Sequence, residues 1–427
     1  MKFCNSYCDK FKAGITDIRR ELLNYNELET VSTLIIFDIM RIENNSKDKI
    51  AIVAVGYNRI QSMKRLLGSI QEAQYPNDDI PLVISIDCSG DEALYNYVQS
   101  FDWKHGTKYV NIQNERLGLK NHILQCGDLT RYFKAIILLE DDIFVSEYFY
   151  HYAKEAVDFY YNDDRIGGIS LYQNEVNGSL PIYIYNDGGD TYLKQTPASW
   201  GECWTDKQWS SFRAWLNTFN DDMFAQIDMP EVIKTWKRAW SKYYMAYLIK
   251  TNRYFVFPYL SHTTCFSEAG DHSNEGSTIG QVNLMCGAKN YTFKSYDEMT
   301  KYDIYLVNKD IYKWTELSEN ELCVDWRCSS KNLRRCRYIM TPAILPFKVV
   351  KTYGMVMRPI ELNIKYNIEG NDLFIYDTID GNGNALDGTM PLSVAHYHLR
   401  LFNIRLARKY VTNYYWRSIK RKLKIFK

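Results

Sequence analysis

Residues 135–149 read AIILLEDDIFVSEYF, and this stretch does most to decide the fold. Its first five residues, Ala135–Leu139, form a short apolar run of the kind that makes a buried parallel strand. Three carboxylates, Glu140, Asp141 and Asp142, follow directly. Ligands of open α/β sheets bind at the carboxyl ends of the strands, and carboxylate oxygens suit Mg²⁺ or Mn²⁺. The stretch therefore predicts a ligand site at a sheet edge or, as the plainer alternative, a solvated acidic turn.

The composition is that of a globular protein with an uneven distribution of charge. Of the 427 residues, 46% are hydrophobic and 24% are charged, which is ordinary for a domain with a large core. The net charge is +1, yet residues 388–427 contain ten Lys or Arg and no Asp or Glu, so the rest of the chain carries −9. This asymmetry sets the last part of the chain apart from the body.

The cysteines and the N-terminal residues bear on the compartment. The ten cysteines include no Cys-x-x-Cys pair and no Cys/His spacing typical of a zinc site. Residues 1–20 are polar and charged rather than apolar, unlike a signal peptide. We therefore expect reduced cysteines and a cytoplasmic protein.

Apolar runs alternate with helical patterns over the first part of the chain. The predicted strands are Ile50–Val55, Pro81–Ile86, Tyr109–Ile112 and Ile136–Leu139. One helical pattern covers residues 60–73, a second follows residues 114–118 and reaches about residue 129, and a third follows the acidic triplet. This alternation favours right-handed βαβ units and an α/β fold with a mostly parallel sheet flanked by helices. Beyond residue 169 the alternation gives way to Gly/Asn-rich loops, so we expect a subdomain of loops and helices there.

The same patterns divide the chain into four parts. Residues 1–48 are a helical, mixed-charge preface, and residues 49–300 are the α/β domain. Residues 301–395 are a mixed β/α region without a recognisable site, in which 361–385 alternates like a strand between Gly and Asn turns. Residues 396–427 are a basic amphipathic tail.

Polar residues follow the first two predicted strands at the edge where the acidic triplet lies. Asn58 and Arg59 follow the first strand, where an arginine at a helix start could bind a phosphate bidentately or could simply cap the helix. Asp87 follows the second strand, where it could accept a hydrogen bond from a nucleotide base or form an Asx turn. Each position alone is open to either interpretation.

A third pair of residues, Arg116 and Gly118, follows the third strand. The glycine would let the backbone approach a nucleotide closely. The carboxyl ends of four parallel strands meet at one sheet edge, so these features and the acidic triplet together indicate a nucleotide-diphosphate site.

The order of these features resembles the GT-A glycosyltransferases. The pattern strand–xNR–helix, strand–Asp, NxRxGxxxx and LLEDD is similar to N-acetylglucosaminyltransferase I and to related bacterial capsule-type enzymes. The resemblance implies that Arg59 and Asp87 bind the nucleotide of a sugar donor, expected to be a UDP-sugar. It also implies that Asp142 ligates Mn²⁺ or Mg²⁺, with Glu140 and Asp141 in support. The implied activity is inverting transfer to a hydroxyl of a glycan or lipid-linked acceptor.

The resemblance continues downstream and covers residues 48–275. The segment 198-ASWGECWTDKQWSSF is similar to a Ser-Trp-Gly…Trp motif of the bacterial enzymes. Its Trp200, Trp204 and Trp209 could stack on sugars, although at least one is expected to be core packing. A late histidine, His272, implies a further metal ligand or, alternatively, a loop histidine without one.

The catalytic base is left open. Related enzymes often place an aspartate between the tryptophans of a Trp-x-x-x-Trp helix, whereas this chain has Lys237-Arg238-Ala239 there. Nearby candidates are Glu202, Glu268 and Asp271. A nucleotidyltransferase is a second possibility, disfavoured because 54-AVGYNRIQSMKR lacks a glycine-rich phosphate loop. A third is a non-catalytic sugar- or nucleotide-binding module.

The tail has the composition of a segment that lies on a membrane. On a helix, Leu399, Phe402, Leu406 and Tyr410 fall at three- or four-residue spacing among basic residues. Such a segment suits an anionic membrane surface, from which we expect peripheral attachment to the inner face of the membrane. The alternative is a basic helix packed on the acidic body. No nucleic acid is expected as a partner because no nucleic-acid-binding motif accompanies the charge.

Overall fold

The structure is a computed structural model that describes residues 46–77, 79–177, 180–237, 239–268, 278–326, 336–381, 391–399 and 404–422. The predicted preface therefore lies outside the described residues except for residues 46–48. Asp271 and His272 also lie outside them.

Seventeen strands are described, several of them only two or three residues long. In chain order they are β1 Ile50–Gly56, β2 Leu82–Ile86, β3 Lys108–Ile112, β4 Ala135–Glu140, β5 Ile143–Val145, β6 Ile166–Ser170, β7 Val176–Asn177, β8 Leu180–Pro181, β9 Thr191–Lys194, β10 Glu202–Thr205, β11 Tyr254–Pro258, β12 Thr263–Cys265, β13 Lys301–Tyr302, β14 Leu322–Val324, β15 Tyr338–Thr341, β16 Phe347–Tyr353 and β17 Leu373–Gly381.

The α-helices of the described residues are mostly connections between strands. In chain order they are α1 Ile60–Gln71, α2 Glu92–Ser100, α3 Gly118–Gly127, α4 Phe149–Tyr160, α5 Asp206–Leu216, α6 Glu231–Lys234, α7 Trp240–Lys250, α8 Asp310–Thr315, α9 Glu361–Lys365, α10 Leu392–Leu399 and α11 Ile404–Lys422. Two 3₁₀ helices cover Asp128–Arg131 and Asp221–Gln226.

A nine-stranded sheet organises the main body, in the order β13-β9-β11-β6-β10-β4-β1-β2-β3. Strands β1, β2, β3 and β4 pair in parallel, while β10 runs antiparallel between β4 and β6. Every residue of β1 and β2 is buried, as a strand covered on both faces requires. The predicted α/β class with a mostly parallel sheet is confirmed.

Helices cover both faces of this sheet. On one face α1 and α4 pack on alternate residues of the central strands, among them Ile52 and Ile137. On the other face Trp204 of β10 packs against Trp209 of α5 and Tyr244 of α7, with ring centroids 4.7 Å and 5.7 Å away. The sheet therefore forms the middle of three layers, and its strand ends are free to present ligand-binding residues.

Two parts of this body differ from expectation. The helix expected directly after the acidic triplet is preceded by β5, which pairs antiparallel with β12, so α4 begins only at Phe149. The sheet also continues beyond residue 169 through β9, β10, β11 and β13. These strands are two to five residues long, too short for a periodic pattern to reveal them.

The region after residue 301 contributes a second, four-stranded sheet in the order β14-β15-β17-β16. The expected strand-like stretch at 361–385 divides into helix α9 and strand β17. Cys323 and Cys336 form a disulfide with a Cα–Cα distance of 5.7 Å, so the expectation that all cysteines are reduced is wrong for this pair. Cys323 lies on β14, and Cys336 lies two residues before β15, the adjacent parallel strand, so their Cα atoms are at bonding distance.

None of the helices that the structure describes has both the length and the apolar character needed to span a bilayer.

Candidate donor and acceptor cleft

Three strand ends bring polar residues to one edge of the main sheet. Gly56 of β1 pairs with Ile86 of β2, and Val55 pairs with Glu140 of β4. The residues that directly follow these strands therefore start at the same edge, as the sequence predicted. The backbone links them further, because the Asp87 N–H donates to the carbonyl of Gly56 at 2.9 Å.

Arg59 is bound to the acidic triplet. Its Nε donates to Asp141 Oδ2 at 3.2 Å, its Nη2 contacts Asp141 Oδ1, and its Nη1 lies 3.5 Å from Asp142 Oδ2. The guanidinium was expected to meet a phosphate, and in the structure it meets carboxylates instead. Both partners fit the same fork-shaped donor, so the position after β1 alone could not distinguish them.

The acidic triplet carries more negative charge than Arg59 neutralises. Burial, followed by the carboxylates of Asp142 and Asp141, raises the pKa of Glu140 to about 8. Burial also raises the pKa of Asp141 to about 6 although Arg59 opposes the shift. A further cation would stabilise the ionised form of these crowded carboxylates, because it would offset the repulsion between their negative charges.

The side chains of the triplet are of the chemical kind that ligates a divalent cation. Asp142 is partly exposed, with 17% of its side chain accessible, and its carboxylate oxygens are hard ligands of the kind that Mg²⁺ and Mn²⁺ prefer. Within the described ranges, however, no group of three or more His, Cys, Asp or Glu side chains is arranged to hold a metal ion. The predicted metal ligands, Asp142 and His272, thus stay a prediction.

Asp87 anchors a loop. Its Oδ1 accepts from the N–H groups of Cys88 at 2.9 Å and Leu117 at 2.8 Å, and its Oδ2 accepts from the Gly118 N–H at 2.9 Å. The side chain is almost completely buried. Asp87 was predicted to bind a nucleotide base, but its described contacts hold the turn that begins α3.

Gly118 has a backbone requirement that explains the residue. Its φ is +73°, a conformation that L side chains rarely adopt, while a Cβ at this position would meet no atom of the described residues within 4 Å. The glycine is therefore needed to turn its N–H towards Asp87, with open space on the side where a Cβ would project. Arg116 in the same loop is exposed and lies over the ring of Tyr57, 4.7 Å from its centroid. Asn58 is also exposed.

A large cleft opens from the sheet edge. Its volume is about 1850 Å³, and residues of both sheets line it. Its lining includes Glu140, Asp142 and Glu268 as well as the segments 303–307 and 322–326. Arg59, Asp87, Asn58 and Arg116 are not among the described residues that line it. Part of the predicted site therefore lines the cleft, whereas the predicted residues that follow β1, β2 and β3 do not.

The predicted sugar-binding tryptophans separate into two groups. Trp200 lines the cleft and contacts Tyr172 edge-on, with ring centroids 4.9 Å apart. Trp204 is completely buried between α5 and α7, and Trp209 is buried with its Nε1 donating to Asp128. Because no face of the Trp204 indole is open, the prediction that it stacks on a sugar is corrected.

The base candidates occupy different environments. Glu202 is completely buried in β10, and neither of its oxygens has a hydrogen-bond partner among the described residues. Burial, followed by the charge of Glu140, raises its pKa well above the usual value. It therefore has no access to an acceptor, which argues against its role as base. Glu268 lines the cleft but is bound to Ser62 and Arg65, and the Arg65 contact is the largest of the causes that lower its pKa. Asp271 lies outside the described residues.

Other cleft residues had no signal in the sequence. Tyr172 and Trp326 line the cleft, and Arg65 of α1 pairs with the lining residue Glu268. These residues come from separate segments of the chain that share no sequence spacing. The region after residue 303 was expected to hold no site, yet it supplies one wall of the cleft. Their place in the cleft depends on contacts between segments that are far apart in sequence, and a single sequence does not show such contacts.

Comparisons with known proteins give structural matches at low sequence identity. No model of a known protein family matches the chain, and no curated protein does. Solved glycosyltransferase structures similar to it include S. aureus TarS 1-349 in complex with UDP-GlcNAc, with a TM-score of 0.36 and 13% identity over 52% of this chain and 60% of that one. A second is GalNAc-T7 with UDP, GalNAc and Mn²⁺, with a TM-score of 0.35 and 12% identity over 51% of this chain and 43% of that one. A third is the mannosyltransferase PcManGT from Pyrobaculum calidifontis in complex with GDP-Man and Mn²⁺, with a TM-score of 0.24 and 17% identity over 32% of this chain and 41% of that one. The chain spans less than two thirds of the length of each of these structures.

Proposed function

We propose that this protein transfers a sugar from a nucleoside-diphosphate donor, expected to be a UDP-sugar, to a hydroxyl of a glycan or lipid-linked acceptor. The observation that carries the proposal is the acidic triplet at the end of β4, with Glu140 and Asp142 facing the cleft and Arg59 beside them. A strand-end carboxylate cluster at a large cavity is the place where an open α/β sheet binds a nucleotide.

The chemistry assigned to the triplet requires a divalent cation. Asp142 would hold the ion, with Glu140 and Asp141 next to it. The ion would neutralise charge that develops on the departing diphosphate. Arg59 has a separate role as the cation nearest to the triplet, where it can exchange a carboxylate contact for one to a phosphate oxygen.

The cleft has room for two substrates. Ligand pockets usually enclose about 300–1,000 Å³, and the volume here is about 1850 Å³. We assign the donor to the part of the cleft lined by Asp142 and the acceptor to the part lined by Trp200 and Trp236, of which Trp236 is 38% exposed. Partly exposed indoles of this kind can stack on sugar rings.

A carboxylate base would deprotonate the acceptor hydroxyl for in-line attack at the anomeric carbon, with inversion. Glu268 and Asp271 are the two candidates that stay open. We expect one of the variants Glu268→Gln and Asp271→Asn to lower turnover by several orders of magnitude with little change in donor binding. Glu202→Gln serves as the control, because a sealed residue should leave turnover near that of the wild type. If neither candidate variant loses activity, the base lies elsewhere or the mechanism retains configuration.

The activity is tested with UDP-GlcNAc, UDP-GalNAc and GDP-Man, with and without Mn²⁺, by release of the nucleoside diphosphate. A parallel thermal-shift measurement reports binding, since a ligand that binds only the folded state raises its stability. Asp142→Asn should abolish turnover and the Mn²⁺-dependent shift. The matched control is Asp79→Asn, which changes an exposed aspartate paired with Lys49 on the surface. Unchanged turnover in Asp142→Asn would refute the assignment of the triplet.

A non-catalytic nucleotide- or sugar-binding module is the second candidate. The contacts of Arg59 with Asp141 and Asp142 favour it, because a cation is already present at the triplet. Under this alternative, nucleotide sugars raise the melting temperature but no nucleoside diphosphate is released from any of the three donors.

A further inference from the structure

The C-terminal helix α11, Ile404–Lys422, belongs to the most basic part of the chain. Residues 388–427 contain ten Lys or Arg and no Asp or Glu. The remainder of the chain carries a net charge of −9. Attraction between the two parts could therefore draw the helix onto the body, and the structure shows whether its side chains lie there.

The side chains of α11 whose exposure is described are all exposed. They are Arg405, Arg408, Lys409, Val411, Thr412, Asn413, Tyr414, Tyr415, Trp416 and Ile419. The large apolar ones are as open as the charged ones: 68% of Tyr414, 59% of Trp416 and 54% of Val411 is accessible. For these residues the structure does not support the alternative of a helix packed on the acidic body.

The exposed apolar side chains are ordered along the helix. Val411, Tyr415 and Ile419 follow at intervals of four residues and so form one stripe, with Tyr414 next to it. Arg408 lies at the start of the same stripe, and Arg405 and Lys409 flank it. Long basic side chains can bury their stems beside an apolar stripe while their charged ends reach outwards. A helix with these two kinds of side chain binds most favourably to a surface that offers an apolar layer and anionic groups next to each other.

We propose that α11 binds the surface of a lipid bilayer that contains anionic headgroups. The stripe of Val411, Tyr415 and Ile419 enters the interfacial layer, and the arginines and lysines contact the headgroups. Tyr and Trp side chains favour this layer because one end is apolar and the other polar. A nucleic acid would satisfy the charges but would leave the apolar stripe in water. The proposal goes beyond sugar transfer and does not depend on it.

The test is sedimentation of the full-length protein with vesicles. One set contains phosphatidylcholine alone, and the other contains phosphatidylglycerol and phosphatidylcholine in equal parts. The charge variant is Arg405→Gln/Arg408→Gln/Lys409→Gln, and the stripe variant is Val411→Ser/Tyr415→Ser/Ile419→Ser. The matched control, Lys104→Gln/Lys250→Gln/Lys313→Gln, removes the same charge from exposed positions on the body. All nine positions are exposed, so the variants should fold, which circular dichroism checks.

We expect wild type and control to sediment with the anionic vesicles at low salt and to be released at high salt. The charge variant should bind about a hundredfold more weakly, equivalent to about 3 kcal/mol for three cations. The stripe variant should also lose binding although its charge is unchanged. The proposal is refuted if wild type ignores anionic vesicles at low salt, or if the control loses as much binding as the charge variant. It is equally refuted if the stripe variant binds as wild type does, which would indicate a purely electrostatic contact such as that with nucleic acid.

Discussion

Replacing Asp87 by asparagine separates two roles for one residue. The aspartate was predicted to contact a nucleotide base, and in the structure its two oxygens accept three backbone N–H bonds, from Cys88, Leu117 and Gly118. Asp87→Asn keeps one oxygen for the first two donors. At the other position it places an NH₂ group against the N–H of Gly118, so two donors face each other.

The expected loss follows from the number and kind of these bonds. A hydrogen bond to a charged group contributes about 1.5–3 kcal/mol, against about 1 kcal/mol for a neutral one. Losing one such bond and weakening two others should lower the free energy of unfolding by about 2–4 kcal/mol. Because Asp87 is almost completely buried, solvent screening should reduce this figure little. Faster amide exchange is expected above all at Gly118, which loses its acceptor, and to a smaller extent at Leu117, whose acceptor becomes a neutral oxygen.

The assay combines denaturant unfolding with hydrogen exchange of peptides that cover residues 113–120. The matched control is Asp91→Asn at the N-cap of α2, where the side chain accepts a single bond from the Leu94 N–H at 3.1 Å. Asparagine caps helices as well as aspartate does, so this variant should change stability by less than about 0.5 kcal/mol. If Asp87→Asn unfolds like the wild type but no longer binds UDP, the residue acts on the nucleotide and the anchoring role is refuted.

Three further changes test other parts of the structure. Trp204→Ala should lower the free energy of unfolding by about 3–5 kcal/mol because it leaves a cavity in the core. Trp200→Ala should lower it by only about 1 kcal/mol and should mainly reduce turnover. Equal changes in melting temperature for the two variants would contradict the placement of Trp204 in the core and Trp200 in the cleft. Glu202 keeps its proton when folded and loses it when unfolded above its ordinary pKa of about 4.3, so its contribution to stability falls as pH rises, by up to about 1.4 kcal/mol per pH unit. Glu202→Gln should therefore raise the melting temperature more at about pH 8 than at about pH 5, and an equal change at both would disprove the buried-acid interpretation. Replacing Cys323 by Ser should lower stability by about 3 kcal/mol, because the bond closes a loop with a sequence separation of 13, whereas Cys286→Ser at an exposed free thiol is the control.

The first half of the main sheet was predictable from the sequence because its signals are local. The apolar runs that became β1, β2 and β4 are five to seven residues long and are buried on both faces, so composition alone marks them. Later strands such as β13 have two residues and are strands only because β9 lies beside them. No property of their own sequence carries that information.

The candidate site was predicted in position more than in contacts. Strand ends placed Arg59, Asp87 and the acidic triplet at one edge, which the register of β1, β2 and β4 explains. Their partners were not predictable, because a guanidinium pairs equally well with a phosphate or a carboxylate and a carboxylate equally well with a base or a backbone amide. Which pairing forms depends on distances across the sheet edge, and these are absent from a linear pattern.

The position of β10 has a consequence for how the chain is made and truncated. β6 (Ile166–Ser170) reaches β4 only through β10, which is synthesised later in the chain and inserts between them. A nascent chain emerges from the ribosome N-terminus first, so β4 keeps an open edge until residues 202–205 are available. Unpaired strand edges of this kind recruit other chains. Fragments that end before residue 202 should therefore aggregate during expression. The edge strand β13 can add to β9 only once residues 301–302 have been translated.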